Sequence, residues 1–261
     1  LWSRGAAAYI GCAAYPKEIA SVPTLLVTGT SRGLGLELVR QYAADGWQIF
    51  ACARRSAGAA ELQALAAAHA GSVKVVDLDV EDHDAIDRLA RELDGTAIDV
   101  LLNSAGIMGR GSFADEGIQF GRFGHADFDD WARVFRINVA GPMKMAEAFV
   151  EHVARSQQKK IVTLTSMLGS VALNRIGSLY AYRASKAAVN AMMKSMAIDL
   201  AKSHGIAATA LHPGWVRTDL GGPRADIDPV TSVSGMRKVI AALTPDNAGR
   251  YMVYDGSELP W

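Results

Sequence analysis

Cysteine is nearly absent from this sequence: of 261 residues, only Cys12 and Cys52 carry a thiol. Two cysteines cannot staple a chain of this size, which excludes a disulfide scaffold and makes a reducing cytoplasm the expected setting. Charge of one sign is missing too. Lysine plus arginine and aspartate plus glutamate balance at 27 each, and no basic run exceeds a pair. Such a chain lacks the electrostatic footprint for nucleic acid, so none is expected as a partner. No apolar run is long enough to span a bilayer, and no membrane partner is expected. The six histidines show no ligand spacing, so no metal is predicted. Internal repeats and low-complexity tracts are also lacking.

Half of the residues are apolar, which is enough for a substantial core. Residues 1–22 are Ala-rich, and "GAAAYIGCAA" is only faintly like a signal peptide or lipoprotein box, with Tyr9 where Leu is wanted. They are expected to be a flexible extension ahead of a single domain over 23–261.

From Pro23 onward, apolar strand segments alternate with amphipathic helical ones. The patterns predict strands over 24–29, 47–54, 72–80, 98–106, 159–166, 205–214 and 250–256. Helices are predicted over 34–46, 59–71, 84–95, 128–156, from the tyrosines near 180 to about Ser203, and over 233–243. This alternation implies a Rossmann-type, doubly wound α/β fold: a parallel sheet of about seven strands with helices on both faces. The longest loop, 106–124, follows the fourth strand. Ligands of such sheets bind at the carboxyl ends of the strands.

Two stretches at such ends carry chemistry. "TGTSRGLG" (28–35) joins the first strand to the first helix and spaces Gly29, Gly33 and Gly35 as GxxxGxG. Glycines let the backbone approach a pyrophosphate, and the helix N-terminus offers free N–H groups. In "YAYRASK" (180–186), Tyr182 and Lys186 are four apart and share one helix face, whereas Tyr180 points elsewhere. A lysine ammonium near a phenol favours the phenolate and should lower the tyrosine pKa from about 10. Taken singly, each feature has a plainer reading: a Gly-rich turn, a surface pair on a helix, a strand-end hydroxyl.

Together, in this order, the motifs resemble the short-chain dehydrogenase/reductase family. TGxxxGxG is its cofactor loop. "NSAG" (103–106) is similar to its NNAG, with Ser104 replacing the second Asn, "RINVAG" supplies Asn138, and "YRASK" is its YxxxK. "HPGWVRTD" (212–219) is its PG motif with Thr218 behind it. The stretches "YAYRASKAAVN", "HPGWVRTDLGG" and "YDGSELPW" look like the subgroup of C-factor and sniffer-type carbonyl reductases. The resemblance covers everything from Thr24 onward.

The resemblance implies hydride transfer between a nicotinamide cofactor and a carbonyl or alcohol, with Asn138, Ser166, Tyr182 and Lys186 catalytic. Tyr182 is the acid/base, Lys186 also binds the nicotinamide ribose, Asn138 holds a water, and a serine donates to the substrate oxygen. Ser166 fits that position better than Ser170, which stays open. The cofactor residues it implies are Gly29, Ser31, Arg32, Gly33, Leu34, Gly35, Arg54, Asp79, Val80, Asn103, Ala105, Gly106, Tyr182, Lys186, Pro213, Gly214, Val216 and Thr218. Ala53 stands where an NAD enzyme carries an acid, and Arg32 and Arg54 suit a 2′-phosphate, so NADP(H) is expected over NAD(H). Asp79 could instead cap the third helix. Met108, Met167, Leu168 and Trp215 are expected to wall a pocket for apolar or aromatic carbonyls. A homodimer or homotetramer is expected through helices 128–156 and 180–203, whose small residues include Ala146, Ala187, Ala188, Ala191 and Ala197. The alternative is a non-catalytic NADP(H)-binding signalling or sensor protein of the C-factor type.

Overall fold

Runs such as "TLLVT" have apolar residues on both strand faces, and such strands need cover on both sides. The computed structural model, which describes residues 22–110 and 121–261, supplies it. Seven strands form one sheet: β1 Thr24–Thr28, β2 Gln48–Ala53, β3 Val73–Asp77, β4 Val100–Asn103, β5 Lys160–Leu164, β6 Ala207–His212 and β7 Tyr251–Val253. Their order is β3-β2-β1-β4-β5-β6-β7, and all six pairings are parallel. Leu25 and Val27 face a core completed by α1 (Gly33–Ala44), α2 (Ala60–Ala68) and α7 (Pro229–Ala241). Leu26, between them, faces the other core, completed by α3 (His83–Glu92), α5 (Gly141–Ala154) and α6 (Tyr180–His204). The doubly wound sheet expected from the alternation is therefore present, and it reverses direction between β1 and β4, the crevice where such folds take ligands.

Several boundaries differ from the sequence reading. The expected helix 128–156 is α4 (Phe128–Phe135), a π turn at Arg136–Ala140, and then α5. The cause is local. Pro142 has no N–H to return to the carbonyl of Asn138 four residues earlier, so the α register cannot continue there. β3 ends at Asp77, and the cap of α3 is Asp82, which accepts from Ala85 N at 2.9 Å, rather than Asp79. α7 begins at Pro229, earlier than the apolar pattern shows, because Asp228 caps it by accepting from Thr231 N. Ala146 and Ala197 lie in the core, whereas Ala191 is exposed. The expectations for residues 1–22 and for the middle of the 106–124 loop fall, apart from flanking residues, outside the described residues. No helix among the described residues is long and apolar enough to cross a membrane.

Candidate active site

The ends of β1 and β4 approach so closely that only glycine fits between them. A Cβ on Gly29, at φ +74°, would lie 2.7 Å from the Cα of Ala105. Thr28 ties the same junction, its hydroxyl accepting from the amides of Ser104 and Ala105 at 3.2 Å each. A Cβ on Gly35 would lie 2.1 Å from the carbonyl oxygen of Gly29, so the first turn of α1 rests on the loop itself. Gly33 packs toward Thr218, with 3.4 Å between its ideal Cβ and the threonine methyl, bringing the PG loop beside the glycine loop. α3, α4 and α7 start beneath the carboxylates of Asp82, Asp127 and Asp228, but α1 starts at Arg32 with no side-chain cap and no acid in its first turn. Its free N–H groups and dipole suit a phosphate. The residues present therefore fit a dinucleotide.

Arg32 and Arg54 stand at the edge of this crevice. Each carries an acidic neighbour: Arg32 Nε lies 3.2 Å from Asp219, and a terminal nitrogen of Arg54 lies 3.7 Å from Asp79. All four side chains are substantially exposed, so these pairs are weak. Ala53 is buried at the end of β2 and offers no acceptor. Asp79 also accepts from Glu81 N at 3.1 Å, and Val80 is buried against Gly141. Asn103 is buried and donates to Thr163 Oγ1 at 3.3 Å, while its Oδ1 has no protein partner.

Across the switch point, the tetrad implied by the resemblance is brought together. β5 delivers Ser166, α6 delivers Tyr182 and Lys186, and the π turn delivers Asn138. The Ser166 side chain stands beside the Tyr182 phenol, near enough to favour its ionised form. Lys186 Nζ sits 5.7 Å from the centre of the Tyr182 ring and donates to the Leu164 carbonyl at 2.8 Å. A Cβ on Gly106 would lie 3.6 Å from that ammonium and 3.4 Å from Asn138 Oδ1, so the bare glycine leaves room beside both groups. Asn138 is fully engaged: Oδ1 accepts from Ile107 N, and Nδ2 donates to Ile107 O and to Ser185 Oγ, all at 2.9–3.0 Å. Ser185 passes its own proton to the Tyr182 carbonyl at 2.8 Å.

One electrostatic expectation is reversed. Burial pushes the Tyr182 phenol up to about 12, with the neighbouring Ser166 acting in the opposite direction, and the ammonium does not bring it below 10. Burial likewise pushes Lys186 down to about 8. Desolvation is the leading cause for both groups. His212, beside them at the end of β6, is pushed down to about 4 by burial first and by the Lys186 charge second.

A cavity of about 390 Å³ opens in front of Tyr182, lined by Met108, Trp131, Leu179 and Tyr180 together with Arg110, His125, Asp127 and Asp130. Of the expected apolar wall only Met108 lines it. Met167 is 47% exposed, and Trp215 lies in the PG loop, its indole N–H donating to Gly221 O at 2.8 Å. Tyr180 is at the mouth, edge-on to Phe123 at 6.2 Å. Ser170 is drawn away from the cavity: its hydroxyl donates to the carbonyl of Pro260 at 2.6 Å. The PG loop is pinned by Ser232, which donates to Pro213 O at 2.6 Å, and by the Val216–Ile227 bridge.

Sequence reasoning missed Thr28, Ser185 and Arg183. Arg183 clamps the approach to α6, its Nε donating to Gly177 O and Ser178 O at 3.1 Å each and a terminal nitrogen to Leu168 O at 3.3 Å. Ser185 had a readable signal, since it lies three residues from Tyr182 on the buried face of α6.

The family model for the short chain dehydrogenase matches residues 23–227. The C-signal protein of Myxococcus xanthus is 40% identical over 164 residues, covering 63% of this chain and 93% of that protein. Among solved structures, carbonyl reductase Sniffer of D. melanogaster superposes with a TM-score of 0.82 at 32% identity, covering 92% of this chain and all of that one. The NADPH-bound carbonyl reductase from chicken fatty liver superposes at 0.81 with 31% identity, covering 92% of this chain and 99% of that one. Fold, motif order and these similarities agree, and the chain belongs to the short-chain dehydrogenase family.

Proposed function

We propose that the protein reduces a ketone or aldehyde to an alcohol, or runs the reverse reaction, with NADP(H) as cofactor and Tyr182 as the acid/base. The observation that carries this reading is the meeting of Tyr182, which lines the cavity, with Ser166 beside its phenol and Lys186 Nζ 5.7 Å from its ring centre. When bound, the cofactor supplies or accepts the hydride. The uncapped start of α1 and the loop Gly29, Ser31, Arg32, Gly33, Leu34 and Gly35 hold its pyrophosphate. Arg32 and Arg54 exchange their exposed acid partners for the 2′-phosphate, which accepts paired guanidinium hydrogen bonds. Asp79 and Val80 border the adenine. Asn103, Ala105 and Gly106 line the crevice, and Pro213, Gly214, Val216 and Thr218 close it over the nicotinamide end.

The chain's part in the chemistry is to manage one proton. A phenol held near 12 stays protonated at neutral pH and can still give its proton to a forming alkoxide, which is the stronger base. Ser166 gives the same oxygen a second hydrogen bond, and Lys186 offers a positive charge that favours the phenolate once the proton has left. The Asn138 side chain is spent on Ile107 and Ser185, so the water-holding part falls to its main-chain carbonyl, which Pro142 leaves without an α-helical donor. Met108, Trp131, Leu179 and Tyr180 favour an apolar or aromatic substituent beside the carbonyl.

The same reading takes the chain as one domain from residue 23, in a reducing cytoplasm; Cys52 is a buried free thiol. It also makes the protein a homodimer or homotetramer, with Ala191 and Ile198 exposed on α6 and Met143 on α5. A monomer mass by light scattering would count against that. The similarity to C-signal supports a second reading, an NADP(H)-binding signalling protein without turnover. A carbonyl panel with NADPH or NADH consumption as readout separates them. The reductase reading expects NADPH-preferring turnover of aromatic or apolar carbonyls. Tight NADPH binding with no oxidation across the panel supports the signalling reading.

A further inference from the structure

The local support of Ser166 is a single short turn, in which its hydroxyl accepts from Leu168 N at 3.2 Å. Ser166 is the second residue beyond β5, and after that 3₁₀ turn (Met167–Gly169) the chain has no regular structure until Tyr180. Its hydroxyl must nevertheless be held to a fraction of an ångström to help stabilise an alkoxide. The support comes from the far end of the chain. Tyr251, fully buried on β7, donates its hydroxyl proton to the Ser166 main-chain carbonyl, and the same carbonyl accepts from Gly169 N at 2.7 Å. That peptide unit is thereby fixed from two sides.

Trp261 stacks on the Tyr251 ring with centroids 5.4 Å apart and planes at 23°. The segment bearing Trp261 folds back along β7, with Val253 N donating to Ser257 O at 2.8 Å and Leu259 N to Tyr251 O at 2.9 Å. It then grips the chain just past Ser166. The Ser170 hydroxyl donates to Pro260 O at 2.6 Å, and Ala172 N donates to Trp261 O at 3.1 Å. Behind the tyrosine, Thr165 donates to Asn190 Oδ1 at 2.6 Å, joining the end of β5 to α6.

We propose that Tyr251, braced by Trp261, is a positioning residue that sets the orientation of the Ser166 hydroxyl toward Tyr182 and the substrate oxygen. This rests on the reductase reading for its catalytic consequence. The brace itself is a property of the protein alone.

Two measurements test it. In the first, hydrogen exchange is followed over residues 166–173 in the protein without cofactor. Trp261→Ala is expected to speed exchange there, because the main-chain carbonyl that accepts from Ala172 N loses its anchor on Tyr251, and Trp261→Phe is expected to restore protection by keeping a stacked ring. Unchanged exchange in Trp261→Ala overturns the brace. In the second, Tyr251→Phe keeps the ring and its stack but loses the donor. It is expected to lower kcat by about 10- to 100-fold, the scale of a misplaced reacting group, with NADPH affinity and melting temperature near those of the parent. In a Ser166→Ala background the same change should cost less than about twofold, since the group being aimed is gone. An unchanged kcat, or an equal fractional loss with and without Ser166, overturns the positioning role. If Tyr251→Phe does not fold, kcat for Trp261→Ala against Trp261→Phe decides the same question. A parent protein that reduces no carbonyl sinks the reductase reading and the catalytic role together, and the exchange result still decides the brace.

Discussion

The glycine loop and the proton site sit at the same end of one sheet but are built on opposite principles. The loop is shaped by what is missing: side chains at Gly29 and Gly35 would collide with backbone at 2.7 and 2.1 Å. The proton site is shaped by tethers: Asn138 to Ile107 and Ser185, Ser185 to the Tyr182 carbonyl, and Ser166 to Leu168 and Tyr251. A site made by exclusion tolerates no added atom. A site made by tethers depends on groups far away in the chain.

The largest expected effect is on the tethered side. Lys186→Met should cut kcat by about 10²–10⁴, as loss of a positioned acid–base partner does. The same change should stabilise the protein at neutral pH. Lys186 is held below its ordinary value of 10.5, at about 8. Between those values the unfolded chain binds a proton that the folded one does not, so stability rises with pH there. Below pH 8 the folded protein carries the cost of a buried charge, which methionine removes. The gain in melting temperature should be largest near pH 7 and shrink toward pH 10; a fixed gain would contradict the buried-charge account.

Gly35→Ala probes the excluded side. It should weaken NADPH binding by about 100-fold, near 3 kcal/mol, or leave the protein too distorted to fold. Near-parent affinity by fluorescence titration would show that the loop yields where rigidity is claimed. Ala53→Asp with Arg54→Ala should shift the ratio of kcat/KM for NADPH over NADH toward NADH by about 10- to 100-fold, by supplying a 2′-OH acceptor and removing a phosphate donor. An unmoved ratio would leave cofactor choice to other residues. A chain beginning at Ser21 should show the smallest effect, keeping its melting temperature within about 2 °C, given how little core the composition of residues 1–20 offers. A fall of many degrees would mean that they dock on the domain.

The two sites also differed in how much of them the sequence disclosed. The glycine spacing of the loop was legible, because a strand, the glycines and a helix lie within a dozen residues and their geometry is local, while the tie from Thr28 to Ser104 and Ala105 was not, since it joins segments some 76 residues apart. The sheet followed from strand and helix alternation, and the pairing of Tyr182 with Lys186 followed from helix phase. What escaped was non-local or masked by burial. Pro142 breaks the long helix at Asn138, a signal that was present four residues away but went unread. Tyr251 and Trp261 reach Ser166 and Ser170 across some 85–90 residues of chain, a contact that no local pattern encodes. The rise of the Tyr182 phenol depends on burial, which the spacing of two side chains on a helix does not reveal. Trp215 was expected in the pocket from its place after a strand end, but its indole is held by Gly221.

The most direct test of the central claim compares Tyr182→Phe with Tyr180→Phe, two residues apart at the start of α6. Steady-state NADPH oxidation with an aromatic ketone or aldehyde is the measurement, with NADPH affinity taken in parallel. Tyr182→Phe is expected to lose about 10²–10⁴ in kcat while binding NADPH as the parent does, because only the proton donor has gone. Tyr180→Phe is expected to keep kcat and to change KM alone, as a residue at the cavity mouth. An active Tyr182→Phe beside an inactive Tyr180→Phe would contradict the assignment of the acid and the account built on it.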